Sequence, residues 1–357
     1  MTTHLSVIER VFDVGLPRND APPTIPRMQR GIPKKRKIPG AKHVVVVSSG
    51  KGGVGKSSVS GNLNLALALS KLSSDVTHQG RRLRVGLLDL DIFGPSIPKL
   101  MGLEGVGEPN LTKENRLTPL KNHGLPCMSM GFLLPNSPTT SESDMTDTPV
   151  VWRGMMVMKA VQQLLFDVDW RAGAGGHDLD VLVIDTPPGT GDVSLSLGQL
   201  VDVDGSVIVT TPQSVAIIDT RKGVAMFRKL GIPIFGAVLN MSHFICPGST
   251  TKHYIFGKPD KFYETCSHLG LAVLGQVPIE TDVSANGDKG LPIVLTSRPN
   301  NGLDSGATNA SGDGELNVAG EVAVNDSSIY TEQTLGNSAK AFQRLSIEVW
   351  TRLQSRQ

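Results

Sequence analysis

Cysteine and aromatic residues are scarce in this chain, and its charges nearly balance. The 357 residues include only 4% aromatics and three cysteines, Cys127, Cys246 and Cys266. Three cysteines are too few for a disulfide framework, which fits a reducing compartment. A net charge of +2 provides no global basic field for nucleic acid. No apolar run approaches the ~20 residues of a membrane-spanning helix. We therefore expect no nucleic-acid partner and no transmembrane segment.

The most informative stretch is a run of valines that leads into a glycine-rich loop, VVVVSSGKGGVGKSS at residues 44–58. It matches the phosphate-loop pattern G-x-x-x-x-G-K-[ST]. The valines predict a strand buried on both faces, and residues 58–70 have the apolar spacing of a helix whose N-terminus faces the phosphates. Lys56 would reach the β- and γ-phosphates of ATP, and the Ser57 hydroxyl would hold Mg²⁺. The predicted nucleotide-binding residues in this loop are Gly50, Lys51, Gly52, Gly53, Val54, Gly55, Lys56, Ser57 and Ser58.

Two other predicted strands end in acids. Residues 84–91 predict a strand that ends with Asp89 and Asp91, whose spacing places both side chains on one side. Ligands of open α/β sheets bind beyond the carboxyl ends of the strands. We therefore assign Asp91 to catalysis, as a group that orients the attacking water; the alternative is a pair of solvated acids. Residues 181–184 predict a buried strand before Asp185, a Walker B acid that would hold Mg²⁺ through water.

Further strand–helix units follow these acids. The stretch TPPGTG at residues 186–191 is suited to sensing the γ-phosphate. Asn240 comes directly after a predicted strand at residues 234–239, and its amide offers both a donor and an acceptor to adenine. A turn asparagine is an equally good interpretation of this position. The alternation of strands and helices predicts an α/β, three-layer P-loop NTPase fold with a mostly parallel central sheet.

The chain divides into four predicted parts. Residues 1–42 form an N-terminal extension with a basic linker, and residues 43–296 form the ATPase domain, with a disordered insertion near 134–148. Residues 297–332 are too polar to pack, and residues 333–357 form a helix that packs on the domain. The extension is a weak targeting segment because Glu9, Asp13 and Asp20 dilute its arginines. Its basic stretch, residues 27–42, is interpreted as a solvated lead-in, with an anionic partner surface as the alternative.

The loop sequence KGGVGKS resembles the deviant Walker A group, the SIMIBI class, in which the first lysine crosses a dimer interface to the partner's nucleotide. The blocks LLDLDIFGPSIPKLMG, VVWRGMMV, VLVIDTPPGTGD and NMSHFICP are similar to those of the Mrp/ApbC family. The lead-in RGIPKKRKIPGAKHVVVVSSGKGGVGKS most resembles the mitochondrial NUBPL-type branch. This resemblance gives Lys51 a catalytic role across a homodimer. It implies a weak ATPase that carries a [4Fe–4S] cluster to apoproteins, with complex I subunits as clients. The implied location is the mitochondrial matrix; a chain without a targeting signal would be cytoplasmic.

The chain departs from the family at the cluster site. The family has two cysteines per subunit in a CPxC motif, so that a dimer supplies the thiolates of a cubane cluster. Here Cys246 occupies the first position and Ser249 the second, and a serine is a poor ligand for iron. His253 or Cys266 would have to complete the site. Cys266 lies in a predicted helix, where a core position is the better interpretation, and Cys127 is predicted to be a buried hydrophobe.

Two other functions fit parts of the sequence. A positioning ATPase of the MinD/ParA kind would use the basic, amphipathic final helix on membranes or a basic surface on DNA. A family member that binds ATP but has lost its cluster would explain Ser249. The block NMSHFICP favours the cluster carrier over the positioning ATPase.

Overall fold

The computed structural model describes residues 34–57, 62–77, 80–92, 94–133, 154–296 and 336–356. Several predictions lie outside these ranges. They are the targeting segment, the insertions near 134–148 and 297–332, and the nucleotide contact of Ser58.

A mostly parallel sheet forms the centre of the molecule. In the described residues it has eight strands, in the order β10-β7-β6-β1-β5-β2-β4-β3, and only β3 is antiparallel to its neighbour. The strands are β1 Ala41–Ser49, β2 Val85–Asp89, β3 Leu120–Asn122, β4 Leu125–Ser129, β5 Leu179–Asp185, β6 Gly205–Thr210, β7 Ile234–Leu239 and β10 Val273–Gln276. A separate hairpin pairs β8 (Phe244–Ile245) with β9 (Lys252–His253). The predicted fold class is confirmed.

Helices surround this sheet. They are α1 Asn62–Lys71, α2 Ser74–Thr77, α3 Ile97–Leu100, α4 Gly154–Phe166, α5 Trp170–Gly173, α6 Asp192–Leu200, α7 Ser214–Lys229, α8 Asp260–Leu269, α9 Thr281–Asp288 and α10 Asn337–Gln354. Short 3-10 helices cover Met130–Phe132 and Ile293–Leu295. Every residue of β2, β5 and β6 is buried, as in parallel sheets that are covered on both faces. Of the helices described, none combines the length and the apolar character that a membrane crossing requires.

The C-terminal helix α10 packs on α1 and β10. Its apolar residues recur at helical spacing, so they form one stripe along the helix. The buried members of this stripe are Phe342, Leu345, Val349, Trp350 and Leu353. Since this stripe is covered by the domain, it is not available to a membrane surface in this arrangement.

The residues that precede β3 do not form a regular strand, since β3 begins only at Leu120. The preceding residues form a tight turn in which the Thr112 hydroxyl accepts hydrogen bonds from the backbone nitrogens of Glu114 and Arg116. Asn115 adopts a φ of 57° within this turn. Local side-chain hydrogen bonds of this kind compete with strand pairing.

Candidate functional site

The phosphate loop leaves the end of β1, between β5 and β6. Gly53 and Gly55 both have a φ of +77°, a conformation that favours glycine. Gly50 is required for another reason, because a side chain here would collide with the backbone of α7 at Asp219 and Thr220. The shape of the loop is therefore set by close packing against α7 at Gly50 and by a left-handed backbone conformation at Gly53 and Gly55.

Three predicted nucleotide ligands meet at the end of this loop. Lys56 is 5% exposed, and its amine donates hydrogen bonds to the carboxylate of Asp185 and to Ser57 Oγ, the latter at 3.0 Å. Asp185 ends β5, the neighbour of β1, and is fully buried. Lys51 is exposed at the tip of the loop. The arrangement places a cation, a hydroxyl and a carboxylate where phosphates and a divalent cation would bind.

The two acids after β2 differ in environment. Asp89 is fully buried and accepts hydrogen bonds from the backbone nitrogen of Asp91 (2.9 Å), Ser129 Oγ (3.0 Å) and the Ile97 nitrogen (3.4 Å). Burial, and then the nearby charge of Asp185, raise the pKa of Asp89 to about 7. Asp91 is half-exposed. Asp89 thus holds the backbone around Asp91.

Ser129 was missed by the sequence analysis. It ends β4, and the strand register places it beside Asp89. In the sequence, Ser129 stands out only as the polar residue that ends the apolar strand LPCMS. That position indicates a contact with Asp89 only once β4 is known to pair with β2.

The segment at residues 186–191 is hydrogen-bonded to the end of β1, from which the phosphate loop departs. Thr186 Oγ1 donates a hydrogen bond to the carbonyl oxygen of Val47 (3.2 Å), and the Gly189 nitrogen donates to that of Ser49 (2.8 Å). Gly189 has a φ of +85°, which favours glycine. The segment ends at Asp192, the exposed first residue of α6. The segment therefore connects the end of β1 to the start of α6.

Asn240 contacts the phosphate loop from the end of β7. It is fully buried, and its Nδ2 donates a hydrogen bond to the carbonyl oxygen of Val54 at 2.8 Å. Its Oδ1 is also buried and has no hydrogen-bond partner among the described residues. The donor that was expected to face adenine is thus used inside the protein.

The three cysteines lie in different environments. Cys127 is buried in β4, and burial together with the charge of Asp89 raises the pKa of its thiol. Cys266 is buried in α8, where burial raises its pKa to about 11. Cys246 is exposed in the loop between β8 and β9. Because the thiolate is the metal ligand, Cys246 is the cysteine suited to a metal, and Cys266 belongs to the core.

The loop at Cys246 closes on itself. The Ser249 nitrogen donates to the carbonyl oxygen of Cys246 (3.0 Å), and Gly248 has a φ of +77°. In the ranges that the structure describes, no three His, Cys, Asp or Glu residues are grouped so as to hold a metal ion.

Residues 40–308 match the family model described as the NUBPL iron-transfer P-loop NTPase. The chain is 45% identical over 262 residues to an iron-sulfur cluster carrier protein of Aquifex aeolicus, covering 73% of this chain and 64% of that protein, just under two thirds. It is 46% identical over 269 residues to the mouse iron-sulfur cluster transfer protein NUBPL, covering 75% and 76%. An Arabidopsis iron-sulfur protein required for NADH dehydrogenase, mitochondrial, is 40% identical over 261 residues, covering 73% and 74%.

A solved structure shares this fold. It is a nucleotide-binding protein from Archaeoglobus fulgidus in complex with ADP, with a TM-score of 0.54 and 31% identity. The match covers 71% of this chain and 88% of that one.

Proposed function

Because the chain belongs to the NUBPL iron-transfer P-loop NTPase family, we propose that it is an ATP-binding carrier that holds an iron–sulfur cluster and delivers it to apoproteins. The observation that supports this most directly is the pairing of a shaped phosphate loop with one exposed cysteine, Cys246. The names of the relatives, carrier and transfer proteins for iron–sulfur clusters, point the same way.

The phosphates of ATP would lie against the backbone nitrogens of the phosphate loop. The amine of Lys56 would then exchange its hydrogen bond to Asp185 for phosphate oxygens. Ser57 and Asp185 fit Mg²⁺, since hydroxyl and carboxylate oxygens are the ligands it prefers. When bound, Mg²⁺ neutralises charge on the phosphates. Asn240 Oδ1 is the buried acceptor that would receive a hydrogen bond from the amino group of adenine.

Hydrolysis would be slow and would involve two chains. Asp91 would orient the attacking water, since Asp89 fixes its backbone at 2.9 Å. Lys51, exposed at the loop tip, would reach the nucleotide of the partner subunit in a homodimer. Hydrolysis would separate the two chains and so release the cluster.

The cluster would lie at the hairpin of β8 and β9. The register places His253 directly across from Phe244, and Cys246 is the residue that directly follows β8. The hairpin thus places Cys246 two residues from the strand partner of His253, whereas Ser249 is a poor ligand. Two chains would offer two thiolates and two imidazoles, the ligand set of Rieske [2Fe–2S] centres. The [4Fe–4S] cluster is proposed as the cargo from the family resemblance.

The clients would be apoproteins that receive the cluster, with complex I subunits as the main candidates. The Arabidopsis relative is described as required for NADH dehydrogenase in mitochondria. A location in the mitochondrial matrix follows from the same similarity.

Anaerobic reconstitution with iron and sulfide tests the cluster. We expect iron and sulfide to bind to the wild type, with absorption near ~400 nm typical of iron–sulfur clusters. Cys246→Ala should lose both, and Cys266→Ala, which removes a buried thiol, is the matched control and should keep them. Ser249→Cys should increase the iron retained because it restores a thiolate. Equal iron in Cys246→Ala would remove the proposed site.

Nucleotide binding is tested separately with Lys56→Ala. This variant should lose ATP affinity, whereas Lys51→Ala should keep most of its affinity and lose hydrolysis, since Lys51 acts on the partner's nucleotide. Intact ATP affinity in Lys56→Ala would exclude the nucleotide site. A wild type that binds ATP but no cluster would instead be a nucleotide switch without metal, which Ser249 favours.

A further inference from the structure

A basic depression lies at the amino end of the sheet, beside the segment that precedes β1. We call it the lead-in groove. Its volume is about 480 Å³. Four cationic side chains from three separate segments converge on it: Arg36, Lys37, Arg116 and Lys159. Convergence of like charges from distant parts of the sequence is unfavourable for the fold by itself. Such a feature calls for a ligand that compensates it.

The wall formed by Arg36 is fixed in place. Its backbone nitrogen donates to the carbonyl oxygen of Leu200 (2.9 Å), and its carbonyl oxygen accepts from the Asp202 nitrogen (3.0 Å). Its guanidinium lies over the ring of Phe166, 3.5 Å from the centroid. A guanidinium stacked in this way keeps its edge donors for a ligand. The basic lead-in is therefore a built part of the fold and not a loose tail at this point.

The opposite wall comes from the turn at residues 111–117 and from α4. The Arg116 nitrogen is held by the Thr112 hydroxyl at 3.2 Å, and the Leu117 nitrogen donates to the carbonyl oxygen of Asp167 at 2.9 Å. Asp167 carries the one carboxylate that lines the groove. Among the described residues, none of the four cationic side chains takes part in an ion pair. The groove thus carries four cationic side chains against one carboxylate, which is a net positive charge.

The groove continues along α4 into a second depression of about 560 Å³. The two share Lys159 and Gln162, and the second is lined by Met158, Leu195 and Gln199 among others. Along α4 the two cover about 12 Å, a length of about four extended residues. Amide side chains suit the backbone of a peptide, and the methionine and leucine suit its apolar side chains. An elongated trough of this kind fits a peptide better than a compact anion.

We propose that the lead-in groove and the adjoining depression bind an acidic, extended segment of a partner protein. Identifying that partner as a client that receives the cluster rests on the proposed function; the recognition itself rests on charge and shape alone. The second depression reaches Asp192, the first residue of α6. A docked client would therefore lie next to residues 186–191, the segment that precedes Asp192.

The test uses the full-length protein and a fluorescein-labelled eight-residue peptide of Glu, Asp and Leu. A second peptide carries Gln and Asn in place of the acids. The groove variant is Arg116→Glu with Lys159→Glu. The matched control is Lys289→Glu with Arg344→Glu, which makes the same change of charge at two exposed positions elsewhere. Fluorescence anisotropy is measured without nucleotide or cluster at low and at physiological ionic strength, and ATP affinity is measured in parallel.

We expect the acidic peptide to bind the wild type more tightly than the neutral peptide, and less tightly as salt rises. The groove variant should weaken binding at least about tenfold, because two charges that face the ligand are reversed, while the control variant stays within about twofold. Both variants should keep wild-type ATP affinity. A weaker affinity for the peptide would then not be caused by damage to the nucleotide site. Equal losses in the two variants, or equal binding of the two peptides, would overturn the proposal. The proposal would also be overturned if labelled oligothymidylate bound more tightly than the acidic peptide and the groove variant abolished that binding. The groove would then be a nucleic-acid surface.

Discussion

Of Gly50, Gly52 and Gly53 in the phosphate loop, Gly50 is expected to be the least replaceable on packing grounds alone. A methyl group built on it would lie 2.5 Å from the Thr220 nitrogen and closer still to the carbonyl group of Asp219. These atoms belong to the backbone of α7 and cannot rotate away. Ordinary contact begins at 3.4 Å, so either the loop or the helix would have to retreat by roughly 1 Å in Gly50→Ala.

The cost of that retreat can be estimated. Overpacking in a well-packed interior costs about 1–3 kcal/mol, and a collision with backbone belongs at the upper end. For a domain of this size, about 1 kcal/mol corresponds to about 2–4 °C in Tm. Gly50→Ala should therefore lower the Tm of the nucleotide-free protein by about 6–12 °C.

Gly52→Ala is the matched control in the same loop. A methyl group on Gly52 would meet only Pro188 Cγ, at 3.8 Å, and Gly52 does not have a left-handed φ. Its Tm should equal that of the wild type or exceed it slightly, because alanine restricts the unfolded chain. Circular dichroism during heating gives both values. A Tm for Gly50→Ala within about 2 °C of wild type, or an equal fall in Gly52→Ala, would refute the packing argument.

Two further predictions concern stability. Burial alone would raise the pKa of Asp180, but hydrogen bonds, led by the one from Arg81, lower it to about 2. The folded protein should therefore lose stability as the pH falls from about 4 towards 2. The loss in unfolding free energy should be up to about 2 kcal/mol. Urea unfolding across this range should show a weaker pH dependence in Asp180→Asn and an unchanged one in Asp202→Asn, which is a change at an exposed position. Trp350→Ala should reduce the unfolding free energy by about 3–5 kcal/mol, because Trp350 is 3% exposed on α10; a loss below about 1 kcal/mol would mean that α10 is not part of the cooperative unit.

Strands and their ends could be predicted because they depend on local patterns. The strand predicted at residues 234–239 matches Ile234–Leu239, and Asp185 ends its strand as expected. Polar residues at the ends of parallel strands meet because the topology brings those ends together. The contact of Lys56 with Asp185, 129 residues apart in sequence, follows from that rule.

The division of roles between Asp89 and Asp91 could not be predicted. Their spacing suggested two equivalent side chains on one side of a strand. The strand instead ends at Asp89, because its own carboxylate accepts the Asp91 nitrogen in a turn. Burial of Asp89 further depends on Ser129 and Asp185, which belong to the two neighbouring strands. Only the order of strands in the sheet reveals that environment.

A short stretch of chain connects the nucleotide loop to the exposed cysteine. Asn240 binds the Val54 carbonyl oxygen through its side chain and the Thr210 carbonyl oxygen through its backbone, each at 2.8 Å. The chain then turns at Met241, with a φ of 51°, and passes through β8 to Cys246. A shift of the phosphate loop on binding ATP would pull on Asn240 and so displace the start of this hairpin. Nucleotide should therefore change the reactivity of Cys246.

Alkylation by iodoacetamide, followed by mass spectrometry with and without ATP, measures this coupling. Cys127 and Cys266 are buried and serve as unreactive references. In Asn240→Ala the buried Val54 oxygen loses its partner, at a cost of about 1–3 kcal/mol, and the effect of ATP on Cys246 should be largely lost even when each protein is saturated with nucleotide. Asn286→Ala, which removes a side-chain hydrogen bond to Thr296 Oγ1 elsewhere, should leave it intact. If saturating ATP changes Cys246 labelling equally in Asn240→Ala and wild type, the connection does not run through this side chain.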